Sequence, residues 1–404
     1  MPASRRWSFP LFPQSDLDRQ VLALCSPRSH CFSGGPSGSP FKQLERGSPA
    51  AAPPASADVN ALLTRAAALG LFPVAFHGLR ESGAGLDPEW EERFRANAAR
   101  NLYFHHEQAR LLAVLTSAGV CAAPLKGTAL AELAYGDLAR RSQVDLDLYV
   151  APRDLPAALD LLQEAGYRPP EPAVPPALLA RTGDEFTSEC QLVSAGGGMP
   201  VLLELHWRIL PLSDRELRAA LTAQLPPRLP RNLNLLYVCL KAATQRWGSL
   251  KLVCDLAHWL EREPPEWEGV LSLAARLGLR RMVCLTLDAL GVYFGVEAPA
   301  AVTAALASGR PRSLPAAAVA NPFLPLQALS PAAHHRLRRV LRERFRDRAR
   351  YAARLLRPTA SDLAALHLPR GLGFLYWGVR WLRLSGLLKD GWKRQPRNLG
   401  TAHP

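Results

Sequence analysis

Three carboxylates stand in this chain where apolar residues would be expected. They are Asp145 and Asp147 in QVDLDLYV (143–150) and Glu204 in VLLELHWRI (201–209). Both stretches alternate as strands do. In the first, Val144, Leu146, Leu148 and Val150 share one face, and Asp145, Asp147 and Tyr149 share the other. In the second, Glu204 lies with Leu202 and His206, opposite Leu203, Leu205 and Trp207. The two aspartate Cα atoms would be about 6.6 Å apart. Their charges repel unless a proton, a cation or a basic side chain lies between them. An unpaired charge in mid-strand is costly, so three carboxylates on strands that can be neighbours point to bound divalent cations. Oxygen ligands suit Mg²⁺, which keeps waters and substrate phosphates in its shell, with Mn²⁺ as a substitute. Two such ions about 3.5–4 Å apart activate a hydroxyl and stabilise a pyrophosphate leaving group. Without metal, Glu204 would pair with Lys126 or Arg141, and the aspartates would be edge-strand solubilisers. His206 reads either as a structural histidine or as a base.

Upstream, PLKGTAL (124–130) runs from a strand into a helix through Lys126, Gly127 and Thr128. Glycine lets the backbone turn and a ligand approach. The N–H groups of a helix start bind anions, phosphate above all, and Lys126 and the Thr128 hydroxyl add a charge and a donor.

LKGTALAELAYGDLARRSQVDLDLYV (125–150) resembles the nucleotidyltransferase-like family of bacterial proteins within the DNA polymerase beta superfamily. The likeness lies in Leu125-Lys126-Gly127, Tyr135-Gly136, an arginine at 140 or 141, and Asp145-Leu146-Asp147. ELHWRI (204–209) resembles the family's acidic-Leu-His-Trp strand, and RWGSLKLVCDLAHWL (246–260) a helical motif leading to Asp255. The resemblance implies nucleotidyl transfer from an NTP to an acceptor hydroxyl. It assigns Asp145 and Asp147 to two metals, and Glu204 to the catalytic metal and the hydroxyl. Gly127 and Thr128 would hold the triphosphate, with Lys126 and Arg141 as further substrate-binding residues. RNA, protein or a small molecule remains open as acceptor. The alternatives are a degenerate fold that binds nucleotide or RNA, and a toxin-like RNA-modifying enzyme. Asp255 reads otherwise as an i−4 partner of Lys251, and Trp247 as core or as a base-stacking platform beside Arg246.

The elements that must position these residues are α+β. A small mixed sheet is embedded in helices, with a helical C-terminal half, and the resemblance implies that its core is polymerase-beta-like. The expected division is a tail, short helix and Pro/Ser/Gly-rich linker over 1–57, with Ser15 capping the helix, then N-terminal helices over 58–119. The catalytic core follows over 120–228, a four-helix bundle over 229–300 and a loop over 301–330. Basic and amphipathic helices over 331–390 precede a tail over 391–404. Pro88 and Gly119 bracket one helix. Glycines 196–198 mark a hairpin turn. Residues 331–358 read as one long arginine-rich helix, a polyanion-binding face or simply a solvated one.

Composition bounds the rest. The chain has 404 residues, 48% hydrophobic and 21% charged, which describes a globular protein and excludes a disordered polymer or a multi-span membrane protein. A net charge of +14 favours polyanionic partners. No apolar run reaches the length of a span. Residues 372–388 read as an amphipathic helix packed on the protein's own core or docked on a membrane surface. Seven scattered cysteines without a CxxC pair, and no secretory apolar region, point to a reducing, cytoplasmic setting without disulfides or zinc.

Overall fold

The alternation that isolates the two aspartates is also what seats their strand. The computed structural model describes residues 14–27, 56–169, 188–194, 199–212, 214–222, 228–307, 319–324, 329–356 and 372–384. Five strands form one sheet: β1 (Ala122–Pro124), β2 (Asp145–Val150), β3 (Tyr167–Arg168), β4 (Ser188–Ser194) and β5 (Leu202–Arg208). Their order is β1-β2-β5-β4-β3. β2 and β5 are parallel neighbours at the centre, and the other pairings are antiparallel. Glycines 196–198, expected at the β4–β5 turn, lie outside the described residues.

Each face of the sheet has its own core. Leu146, Leu148 and Val150 join Leu203, Leu205 and Trp207 beneath two helices, α4 (Pro88–Ser117) and α6 (Leu155–Glu164). Burying one such side chain contributes about 1.5–3 kcal/mol. A one-residue slip would bring the carboxylates into that layer, so the leucines set the register. On the opposite side, Tyr149, Ala123, Leu125 and Ile209 belong to a larger cluster. It includes α1 (Asp16–Cys25), α2 (Ser56–Ala68), α3 (Phe72–Glu81) and α5 (Thr128–Tyr135). It also takes in α8 (Arg231–Thr244), α9 (Leu250–Arg262), α10 (Trp267–Leu277) and α11 (Arg280–Phe294). A short helix, α7 (Asp214–Thr222), precedes them.

Local chemistry explains the helix ends. Ser15 and Asp18 form a reciprocal capping box at α1, satisfying two otherwise orphaned donors. Asp87 caps α4 ahead of Pro88. One turn apart on α4, Asn97 and Asn101 clamp the segment that leads into β2. The Asn97 amide donates to Ala139 O at 2.8 Å, and the Asn101 amide to Leu138 O and Arg141 O, both at 2.6 Å.

Two expectations are corrected. The region over 301–330 is not all loop, because Ala300–Leu306 forms α12. The arginine-rich stretch is two helices, α13 (Pro331–Leu341) and α14 (Phe345–Leu355). The break between them turns Arg342 inward, where it is buried and its guanidinium lies 4.2 Å from the Tyr351 ring centroid. The break also lets Glu343 accept from Arg281 N at 3.1 Å. The amphipathic helix expected over 372–388 is present within the described residues as α15 (Tyr376–Leu384), after a 3₁₀ turn over Gly373–Leu375. It buries Val379 and exposes Trp377 and Trp381. Among the described residues no helix is long and apolar enough to cross a membrane.

Candidate active site

In the parallel pair β2–β5, Asp147 stands opposite Glu204, Asp145 opposite Leu202 and Tyr149 opposite His206. The three carboxylates therefore share one face. Asp147 is buried and meets two cations on one oxygen: Lys126 Nζ lies 2.8 Å from its Oδ1 and His206 Nε2 lies 2.9 Å from it. The other ring nitrogen, His206 Nδ1, is 3.0 Å from Glu189 Oε2. That same oxygen accepts from Lys241 Nζ at 3.1 Å. Glu204 Oε2 is 3.7 Å from His206 Nε2, and its Oε1 accepts from Gln191 Nε2 at 3.2 Å.

These contacts divide the carboxylates electrically. Burial works against the charge of Asp147, but Lys126 and His206 outweigh it and hold this carboxyl well below the usual range. Glu189 is pulled down to about 2 by His206 and Lys241 against burial. Asp145 and Glu204 move the other way, raised by burial and then by the charge of Asp147. His206 is raised because its bonds to Asp147 and Glu189 overcome desolvation. An imidazole facing carboxylates through both nitrogens donates twice only as the imidazolium.

The turn from β1 into α5 forms around a residue that only glycine suits. Gly127 has φ +62° and ψ −129°. A Cβ there would come within 2.6 Å of Gln143 Nε2, which donates to Asp145 O at 2.8 Å. The turn delivers Lys126 to the carboxylates. It does not leave the Thr128 hydroxyl open, because this group is buried and donates to Gln108 Oε1 at 2.8 Å. Nor does Arg141 join the cluster. It is buried, with Nε 2.8 Å from Asp255 Oδ2. Asp255 also accepts from Tyr135 OH at 2.9 Å and so ties α5 to α9. Lys251 donates instead to Ser142 O at 3.2 Å, so the i−4 pairing with Asp255 does not form. Trp247 is fully buried and donates to Thr286 Oγ1 at 3.0 Å, which rules out base stacking.

Four residues escaped sequence reasoning: Glu189, Gln191, Tyr237 and Lys241. Glu189 and Gln191 alternate in ECQLV (189–193). Lys241 is a lone cation in the apolar run LNLLYVCLKAA (233–243), one turn after Tyr237. Those breaks in apolar pattern were the available signals. The Tyr237 hydroxyl is buried without a hydrogen-bond partner among the described residues. Burial, then the charges of Asp147, Glu189, Glu204 and Asp145, keep its proton on. One ligand atom each from Asp147, Glu204 and His206 lie within 4.8 Å of one another. Asp147 and Glu204, with an unsatisfied donor beside them, fit a divalent cation with its bound water, and His206 would add a ligand only on losing one of its two ring protons.

A family model described as uncharacterised nucleotidyltransferase matches residues 55–295, a span that contains every residue of this cluster. No match was found among curated proteins or among solved structures.

Proposed function

Since the chain belongs to the uncharacterised nucleotidyltransferase family, whose enzymes take an NTP, we propose that it moves a nucleoside monophosphate to an acceptor hydroxyl and releases pyrophosphate. The observation that carries this reading is the in-register pairing of Asp147 with Glu204 on adjacent parallel strands, with Lys126 on the same carboxylate. Asp145, Asp147 and Glu204 would hold Mg²⁺, with His206 beside them. Bound there, the metal supplies charge neutralisation at the triphosphate.

The chain's own residues account for the remaining needs. Asp147 is held ionised by Lys126 and His206, and Glu189, itself held by Lys241, fixes the His206 ring. Glu204, raised by burial and by Asp147, is the carboxylate suited to accept the proton of the acceptor hydroxyl. The acceptor oxygen bonds to the α-phosphorus, the bond from that phosphorus to the bridging oxygen breaks, and pyrophosphate leaves. Gly127 brings the start of α5 close to the phosphates, and Lys126 offers them a cation.

Purified protein incubated with each labelled NTP, Mg²⁺ and cell extract should transfer label to an acceptor and release pyrophosphate. Asp145→Asn should reduce turnover about a hundredfold or more with an unchanged circular dichroism spectrum. Undiminished turnover in Asp145→Asn and Asp147→Asn would sink the assignment. Nucleotide binding without pyrophosphate release would mark a binding protein instead.

A further inference from the structure

Beyond the carboxylates lies a cavity of about 460 Å³ that the reaction just described leaves without a role. Five arginines line it: Arg208, Arg276, Arg344, Arg346 and Arg350. The acid in its wall is Asp347, which lies 3.6 Å from Arg346 and 3.9 Å from Arg350. Glu216 reaches Arg276 at 2.7 Å. Among the described residues the wall itself carries five arginines and one acid. Arg344 is anchored through its guanidinium to Ala275 O at the end of α10. Gly278, with φ +74°, closes that end and lets the Arg344 and Asp347 side chains approach. Such a concentration of guanidinium groups repels itself and draws an anion.

The remaining wall is organic in character. Leu210, Leu212, Leu217 and Leu277 contribute apolar surface, and Trp207 brings an indole N–H that is buried without an acceptor among the described residues. The volume falls in the range of small-molecule sites, about 300–1,000 Å³, and far exceeds what a bare phosphate needs. Its place is equally informative. Tyr149, in the cavity wall, follows Asp147 by two residues on the same face of β2, about 6.6 Å along the strand. Trp207, at the end of β5, comes from the opposite, leucine face of the sheet, so the cavity wraps the strand end. The cavity thus opens at the C-terminal ends of the two strands that carry the carboxylates.

We propose that this cavity is the acceptor site and that it takes a phosphate ester of nucleotide size, its phosphate on the arginines and its organic part on the apolar wall. The word "acceptor" rests on the nucleotidyl-transfer reading, whereas the ligand chemistry does not. A free mononucleotide and the terminal nucleotide of an oligonucleotide share that chemistry.

Titration calorimetry on the full chain, without NTP or metal, tests it with AMP, adenosine, inorganic phosphate and a short oligoribonucleotide. AMP or the oligonucleotide should bind, the tighter of the two identifying the source, with adenosine and inorganic phosphate at least tenfold weaker. Arg346→Gln with Arg350→Gln, both on exposed side chains, should weaken binding about tenfold or more. The same charge removed from exposed positions outside the cavity, Arg336→Gln with Arg339→Gln, should leave it unchanged. Equal losses in the two pairs, or no binding by AMP and the oligonucleotide, would overturn the proposal. Asp145→Asn should still bind, so a failure of nucleotidyl transfer and a failure of this site are told apart.

Discussion

At Asp147 the penalty for burying a carboxylate is offset on a single oxygen, by Lys126 Nζ at 2.8 Å and His206 Nε2 at 2.9 Å. Removing either partner would leave a buried charge with only one of its two partners, at a cost of up to about 3–5 kcal/mol, the figure for a buried pair broken outright. His206 makes this arrangement pH-dependent with a definite sign. Its pKa is raised on folding, so its stabilisation is full below the ordinary histidine value, about 6.5, and declines as pH rises through the folded value. Lys251 contributes the opposite slope from about pH 8 upward, since burial and Arg141 pull its pKa down to about 8. Asp145 and Glu204, also raised, share the sign of His206 but begin to titrate in the carboxylate range. The histidine contribution is therefore read as a difference. Between pH 6.5 and 8 the urea midpoint of the native protein should fall more steeply than that of His206→Gln. Parallel profiles would mean that His206 is not held as an imidazolium.

Among the elements, the turn from β1 into α5 is the one whose backbone depends on a single residue. Gly127 occupies a φ, ψ combination that L-residues reach only with strain, of order 1–3 kcal/mol. A methyl group there also meets the Gln143 amide. Gly127→Ala should lower stability by about that amount and displace Lys126 from Asp147, with a weaker affinity for NTP than the native chain in equilibrium dialysis. Native affinity with native stability would show that the turn tolerates a side chain. The segment entering β2 is held from the other side by Asn97 and Asn101 of α4 and by Arg141 on Asp255 of α9. Both β2 aspartates are thus aimed by helices distant in sequence.

For the whole molecule, the two faces of the sheet divide the work. The leucine face against α4 and α6 provides a dry core. The other face meets α8 and α9, which bring Lys241 to Glu189 and Asp255 to Arg141. Because those buried charges cross from bundle to sheet, neither part keeps its ion pairs alone. Unfolding followed by tryptophan fluorescence, with Trp207 in the sheet and Trp259 in α9, should share one midpoint with far-ultraviolet circular dichroism. Separate midpoints would mean that bundle and sheet unfold independently. At this scale the charge of +14 also acquires a location. Arg338 and Arg342 are buried, while Arg344, Arg346 and Arg350 face the cavity beside the strand ends.

Much of the site was written in local pattern. Period-two alternation placed Asp145, Asp147 and Glu204 on one face each, Gly127 marked its turn, and the helices over 231–294 followed from apolar spacing. Those features depend on residues near one another in the chain, where side-chain geometry and backbone sterics act alone. Tertiary structure decided the pairings. It set β2 beside β5 in parallel, chose Lys126 for Asp147 and Arg141 for Asp255, and turned Thr128 into α4. It also brought Glu189 and Lys241 behind His206. Each of these is a competition among several nearby ions for few partners. The outcome depends on distance and burial in three dimensions, which no spacing along the chain encodes.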